Sequence, residues 1–297
     1  MKRIKGTQLF LEMLIALITN SEKTYSKIYS WLEYAMPVIV PDSQDIIHQG
    51  MWDKYPDVTP TKRLLNYILD YEKPQQRQDI LDVGCGNGDF VFYCLEKYPN
   101  INSITGIDLT EEYIHKANQK NTQEKAKFFA TNATELSQTK NMELQQFVNN
   151  KFHKIYMIGV FQDLNIEQFS QIFINCLNCL HENGTMIFHG QTINKEPSNW
   201  QEKLAANIFV ENDAPNFVEL KSIINQEQVT VEYEDITSVG LKICLERIEK
   251  ESLFNNLLLF PFSKLLINVN SYLINFINKG GFSEHLIFIK KNSVSPN

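Results

Sequence analysis

The sequence predicts an α/β fold: a doubly wound, mostly parallel sheet of seven strands with helices on both faces. Three observations predict it. The run Asp79-Ile80-Leu81-Asp82-Val83 reads as a buried strand that stops at Gly84, Gly86 and Gly88, before apolar residues resume at helical spacing. A second strand, Ser103 to Ile107, closes on Asp108, 20 positions beyond Gly88, where a carboxylate suits both hydroxyls of a ribose. Strand and helix patterns then alternate as far as His189, which implies parallel pairing through right-handed crossovers.

Each element follows from local chemistry. Residues up to about Met36 look helical, with Ile28, Leu32 and Ala35 on one face and Pro37 ending the run. Thr59-Pro60 is a helix start, and Leu64, Leu65, Ile68 and Leu69 make its core-facing stripe. After Asp108 and Thr110 a helix opens with Glu111 and Glu112 in its first turn, where the helix dipole favours acids. Lys127 to Ala130 is strand three and Lys154 to Ile158 strand four. Asn165 with Gln168 forms a capping pair, and Phe169, Ile172, Phe173, Cys176, Leu177 and Leu180 follow at helical spacing until Gly184 stops the helix. Strand five is Thr185 to His189.

The second half is less regular. Gln201 to Ile224 looks helical with a break at Asp213-Ala214-Pro215, and Val229 to Ile236 alternates as a strand. A long apolar helical stretch runs from Gly240 to Asn278, interrupted by Pro261, before a last strand, Leu286 to Lys290. The expected organisation is an N-terminal helical cap, residues 1–58, and a core, 59–297, with helical inserts at about 191–226 and 240–281. An apolar insert beside a ligand crevice makes a natural lid and could equally form a homodimer face.

The chain has 297 residues, 43% hydrophobic and 21% charged, which suits a soluble protein with a sizeable core. Its net charge of -7, with Lys and Arg scattered, argues against nucleic acid or an anionic membrane surface as partner. The apolar run from Leu9 to Ile18 follows Lys2, Arg3 and Lys5 in the order of a signal peptide. Glu12 interrupts that run, no small-x-small cleavage site follows, and the run is too short for a membrane span. Cys85, Cys94, Cys176, Cys179 and Cys244 are odd in number and lack a disulfide framework, which points to a reducing, cytoplasmic setting. Cys176 and Cys179 form a C-x-x-C with no second pair, so no metal site is expected.

The glycines and Asp108 describe a nucleoside crevice. A dinucleotide fingerprint wants G-x-G-x-x-G, but counting from Gly84 the third position holds Asp89, and no G-x-x-x-x-G-K-[ST] run exists. The segment L-D-V-G-C-G-N-G-D, Leu81 to Asp89, resembles the first motif of the class I S-adenosylmethionine-dependent methyltransferases, whose fold is Rossmann-like. Further pieces follow in the family's order. His48-Gln49-Gly50-Met51-Trp52 resembles the segment ahead of the core in small-molecule members of the tocopherol, sterol and sarcosine kind, with Met51 replacing the usual aromatic. Thr131-Asn132-Ala133-Thr134-Glu135-Leu136 resembles "G-D-A-x-x-L", and Glu234-Asp235-Ile236-Thr237 resembles the same subgroup.

The resemblance implies S-adenosylmethionine as cofactor. Gly84, Cys85, Gly86 and Gly88 would line it closely, Asp82 would balance its ammonium, Asp108 would hold the ribose, and Leu109 would stack beneath adenine. Asn132 and Ala133 would meet the adenine edge, Gly159 the methionine part, and Trp52 would fold over the cofactor. Alignment of acceptor, methyl and sulfur can lower the barrier by ~7 to 11 kcal/mol, so transfer can proceed without a base. Where a base helps, His189, His48 and Asp163 are the candidates, in that order. Against each stands the ordinary structural use of such a residue. The implied activity is methyl transfer to an apolar small molecule of polyketide or isoprenoid type. The alternatives are a cyclase or cofactor-binding protein on the same fold, a protein methyltransferase and, more distantly, a dehydrogenase. No N-P-P-[YF] run of nucleic-acid amino-methylating enzymes is present.

Overall fold

Ile80 to Val83 is buried at every position, as expected of a strand flanked on both sides and covered on both faces. The structure is a computed structural model, and it describes residues 54–55, 57–58, 60–207, 210, 213–239, 241 and 271–292. This first strand, β1 (Asp79–Val83), lies between β2 (Ser103–Asp108) and β4 (Phe152–Ile158), parallel to both. Outside them lie β3 (Ala126–Ala130), parallel to β2, and β5 (Leu180–Ile193), parallel to β4. Strand β7 (Phe282–Lys291) is next to β5 and antiparallel to the edge strand β6 (Val229–Asp235). The order is β3-β2-β1-β4-β5-β7-β6, so the winding reverses between β1 and β4. Such a reversal opens a crevice at the carboxyl ends of the strands, where ligands bind.

Seven helices have both ends among the described residues: α1 (Pro60–Tyr71), α2 (Asp89–Lys97), α3 (Glu111–Lys120), α4 (Met142–Asn150), α5 (Ile166–Cys179), α6 (Trp200–Asn207) and α7 (Phe217–Ile224). Helix α5 begins with the expected capping box between Asn165 and Gln168. It then buries Phe169, Ile172, Phe173, Cys176 and Leu177 against the sheet. There Phe188 of β5 meets Phe169 and Phe173 edge to face at 6.3 and 6.2 Å. Chain contacts separate two compact units among the described residues. One holds residues 68–194, 210, 213–236 and 283–292, including all of the sheet but Phe282; the other holds the described parts of 54–67, 195–207, 237–241 and 271–282.

Two strands are longer than the sequence suggests. Helix α5 ends at Cys179 rather than at Gly184, and β5 starts at Leu180. The turn residues Asn183, at φ 60°, and Gly184 form a bulge inside that strand, and pairing with β4 resumes at Lys154↔Thr185. Strand β5 also continues past His189 to Ile193, and β7 begins at Phe282 rather than at Leu286. The polar residues His189, Gln191, Ser283, Glu284 and His285 broke the apolar pattern, yet in the strands their side chains pair with one another. Helix α4 was not anticipated. The N-terminal helix, His48, Trp52, the Thr59 cap and most of the apolar stretch from Gly240 lie outside the described residues, although 271–278 is helical.

Candidate functional site

The turn after β1 is held from below by its neighbour, because Gly84 and Cys85 both donate their N–H to the Ile107 carbonyl of β2, at 2.8 and 3.0 Å. Gly84, Gly86 and Gly88 all adopt positive φ, at 75°, 52° and 82°. Their reasons for lacking a side chain differ. A Cβ on Gly84 would overlap a Val160 methyl, and one on Gly88 would lie 2.8 Å from the Phe128 ring. A Cβ on Gly86 meets nothing within 4 Å among the described residues. The outer two glycines are therefore required by packing, whereas the central one faces open space.

Asp108 closes this space from the end of β2. Its Oδ2 accepts the Gly86 N–H at 2.9 Å and its Oδ1 accepts the Thr110 N–H at 2.8 Å. Each carboxylate oxygen keeps a further lone pair for a ligand hydroxyl. Leu109 is 72% exposed, an apolar surface beside that carboxylate. Cys85 is buried, and its sulfur packs over Gly106 of β2, where a Cβ would lie 2.8 Å away. Burial pushes its thiol up, with the charges of Asp82 and Asp108 adding to the effect.

Asp82 is buried in β1, and its Oδ2 has no hydrogen-bond partner among the described residues. Burial, with the nearby Asp108 charge, raises its pKa from 3.8 to about 8. A buried acceptor of this kind is stable when a cation or donor meets it. The orphaned Asp82 oxygen, the space before Gly86 and the clamped Asp108 carboxylate fit an adenosine that carries an amino-acid tail.

The other expected residues take distinct places. Asn132 follows β3, and its side-chain oxygen accepts the Thr134 N–H at 3.0 Å, capping a 3₁₀ turn, Ala133–Gln138. Buried Asn175 of α5 donates to the carbonyls of Ala133 and Thr134 at 3.0 and 2.8 Å, a brace the sequence pattern did not single out. Gly159 follows β4 at φ 70° and donates its N–H to the His189 carbonyl at 2.8 Å. Asp163 lies three residues beyond the Val160 that packs over Gly84, and the Oε1 of buried Gln162 has no hydrogen-bond partner among the described residues. His189 is buried within β5, its Nε2 2.9 Å from Glu284 Oε1. Glu284 was missed, although a Glu-His pair inside an otherwise apolar run was the available signal. Cys85, Cys94, Cys176 and Cys179 are free and buried. No group of three or more metal-ligating side chains occurs among the described residues, and none of their helices is long and apolar enough to cross a membrane.

Residues 80–184 match the family described as a methyltransferase domain. No curated protein matches the chain in sequence. Among solved structures the chain resembles phosphoethanolamine N-methyltransferase 2 of Haemonchus contortus, in complex with phosphomonomethylethanolamine and S-adenosylhomocysteine, at 16% identity and a TM-score of 0.67. That likeness covers 93% of this chain, which spans 59% of the worm enzyme's length. The chain also resembles the [4+2]-cyclase SpnF, at 12% identity and a TM-score of 0.62 over 91% of this chain and 97% of the other. The cyclopropane synthase MmaA2 from Mycobacterium tuberculosis follows at 12% identity and 0.63, over 82% and 89%. At these identities the likeness is one of fold. The strand order and the glycine turn agree with the methyltransferase-domain match over residues 80–184.

Proposed function

We propose that this protein binds S-adenosylmethionine in the cradle before Gly86 and transfers its methyl group to a small, largely apolar acceptor. The observation that carries the reading is the open space before Gly86 among the described residues, with the Asp108 carboxylate clamped to that glycine and a buried, orphaned Asp82 oxygen on the same strand-turn unit. Asp108 would hold the ribose hydroxyls, Leu109 would lie against adenine, Asn132 and Ala133 would border its edge, and Asp82 would face the ammonium. When bound, the cofactor supplies an electrophilic methyl group and a neutral thioether as leaving group. The chain's own task is then to orient both reactants and exclude water.

The acceptor reading draws on the scattered basic residues, the net charge of -7 and the apolar stretch from Gly240 to Asn278. The free, buried thiols support a reducing, cytoplasmic setting. The likeness to SpnF favours a second reading, in which the same cradle serves a cyclisation rather than methyl transfer. Calorimetry with S-adenosylmethionine and S-adenosylhomocysteine, followed by tritiated methyl transfer to organic-soluble molecules of a cell extract, separates the two. Binding with transfer supports the methyltransferase, and binding without transfer supports the cyclase. Indifference to both compounds, with uptake of a dinucleotide, would overturn either reading.

A further inference from the structure

Glu284 and His189 are 95 positions apart in the chain and meet across β5 and β7, both buried. We infer that Glu284 is a positioning residue for His189, holding its imidazole as a base toward an acceptor that carries an O–H, N–H or acidic C–H bond. The inference rests on the methyltransferase reading above. A carboxylate oxygen can only accept, so Nε2 carries the hydrogen and the basic lone pair belongs to Nδ1. The Nε2 of Gln191 donates to the same Glu284 oxygen at 3.4 Å, which holds the carboxylate against the strand.

The pair is close to the cradle through a short series of contacts. The His189 carbonyl accepts the Gly159 N–H at 2.8 Å, and the neighbouring Val160 packs over Gly84. Register puts the pair on the sheet face of Asp82, since Asp82 pairs with Tyr156, and Ile158, two residues on, pairs with His189. The adjacent His285 has its Nε2 2.6 Å from the Ser283 hydroxyl and its ring stacked on Phe217, on the other face. Strand pairing alone does not call for a buried carboxylate and imidazole, because apolar residues of equal volume hold such a place at least as well. As the acceptor atom bonds to the methyl carbon, its bond to hydrogen breaks toward Nδ1 and the pair of the methyl–sulfur bond stays on sulfur. The imidazolium so formed faces the Glu284 carboxylate.

The test compares wild type with Glu284→Gln, Glu284→Asp, His189→Gln and the double variant. Three readouts are taken: imidazole ¹⁵N shifts of His189 without ligand, calorimetric affinity for S-adenosylhomocysteine, and the pH profile of tritiated methyl transfer to extract acceptors. Glu284→Gln should keep the affinity within about twofold, lower the transfer rate roughly a hundredfold and move the acid limb to lower pH. The shifts should show Nε2–H in wild type and an imidazole that protonates at lower pH in Glu284→Gln. Glu284→Asp should recover part of the rate, and the double variant should be no slower than His189→Gln alone. A wild-type rate and acid limb in Glu284→Gln, or losses that multiply in the double variant, would overturn the inference. Wild-type protein that binds no S-adenosylhomocysteine would instead overturn the methyltransferase reading.

Discussion

The carboxylate of Asp108 accepts the backbone N–H of Gly86 at 2.9 Å, which makes that carboxylate and the central glycine of the turn one mechanical piece. On the proposed ribose assignment, Asp108→Ala therefore removes a ligand contact and the clamp together. Two hydrogen bonds from ribose to a charged oxygen contribute about 1.5 to 3 kcal/mol each, and 1.4 kcal/mol is tenfold in affinity. Calorimetry should show S-adenosylhomocysteine binding weakened at least a hundredfold, with Asp108→Asn, which keeps one acceptor oxygen, in between. Unchanged affinity in Asp108→Ala would remove the ribose assignment.

The three glycines separate stability from binding. Alanine at any of them adopts an unfavourable positive φ, which costs about 1 to 2 kcal/mol. Gly84→Ala and Gly88→Ala add overlap with Val160 and with Phe128 and Phe92, so both should unfold at clearly lower temperature than Gly86→Ala. Gly86→Ala should fold with the milder loss and yet bind S-adenosylhomocysteine at least tenfold more weakly, because its methyl occupies the cradle. Equal melting points for the three variants would contradict the division.

Much of this was legible because local chemistry and tertiary demand agree. The glycine turn, the capping box at Asn165 and Gln168, and the apolar stripe of α5 need no partner from elsewhere in the chain to be recognised. What stayed hidden depends on pairing across long separations. Phe282-Ser283-Glu284-His285 reads as a break in an apolar run until β5 supplies His189, Gln191 and Thr192 opposite it. Likewise the three glycines are alike in sequence, and only the positions of Val160 and Phe128 assign their separate reasons.

Two buried groups give ligand-free stability a pH dependence of opposite sign. Folded protein keeps the Asp82 proton up to about pH 8, whereas the ordinary carboxyl releases it near 3.8. Its stabilising contribution is full below 3.8 and is lost as pH rises to about 8. Burial lowers His285 from 6.5 to about 4, so its contribution is full above 6.5 and is lost as pH falls toward 4. The slopes oppose each other between pH 4 and 6.5, and only that of Asp82 remains from 6.5 to 8. Urea unfolding of wild type and Asp82→Asn should show the variant's relative advantage growing with pH up to about 8 and then levelling. Below pH 8 a bound ammonium would ionise Asp82, so wild-type affinity for S-adenosylhomocysteine should rise with pH more steeply than that of the variant. Parallel curves in both experiments would exclude Asp82 as the titrating group.

Asn175 offers a test of the adenine side that touches no ligand. Its amide holds the Ala133 and Thr134 carbonyls, and its oxygen accepts the Ser137 hydroxyl at 2.9 Å. Asn175→Leu keeps the branched shape but strips both carbonyls of their donor, at about 1 to 3 kcal/mol for each that water cannot reach. The turn is only half-buried, so a total loss of about 2 kcal/mol in urea unfolding is expected. Gln171→Ala, which removes only a 3.4 Å contact from an exposed side chain, should be close to neutral. If Asn132 and Ala133 border the adenine, loosening their turn should also weaken S-adenosylhomocysteine binding several-fold while leaving any affinity for free methionine unchanged. Destabilisation with full nucleoside affinity would mean that this turn braces the fold without touching the cofactor.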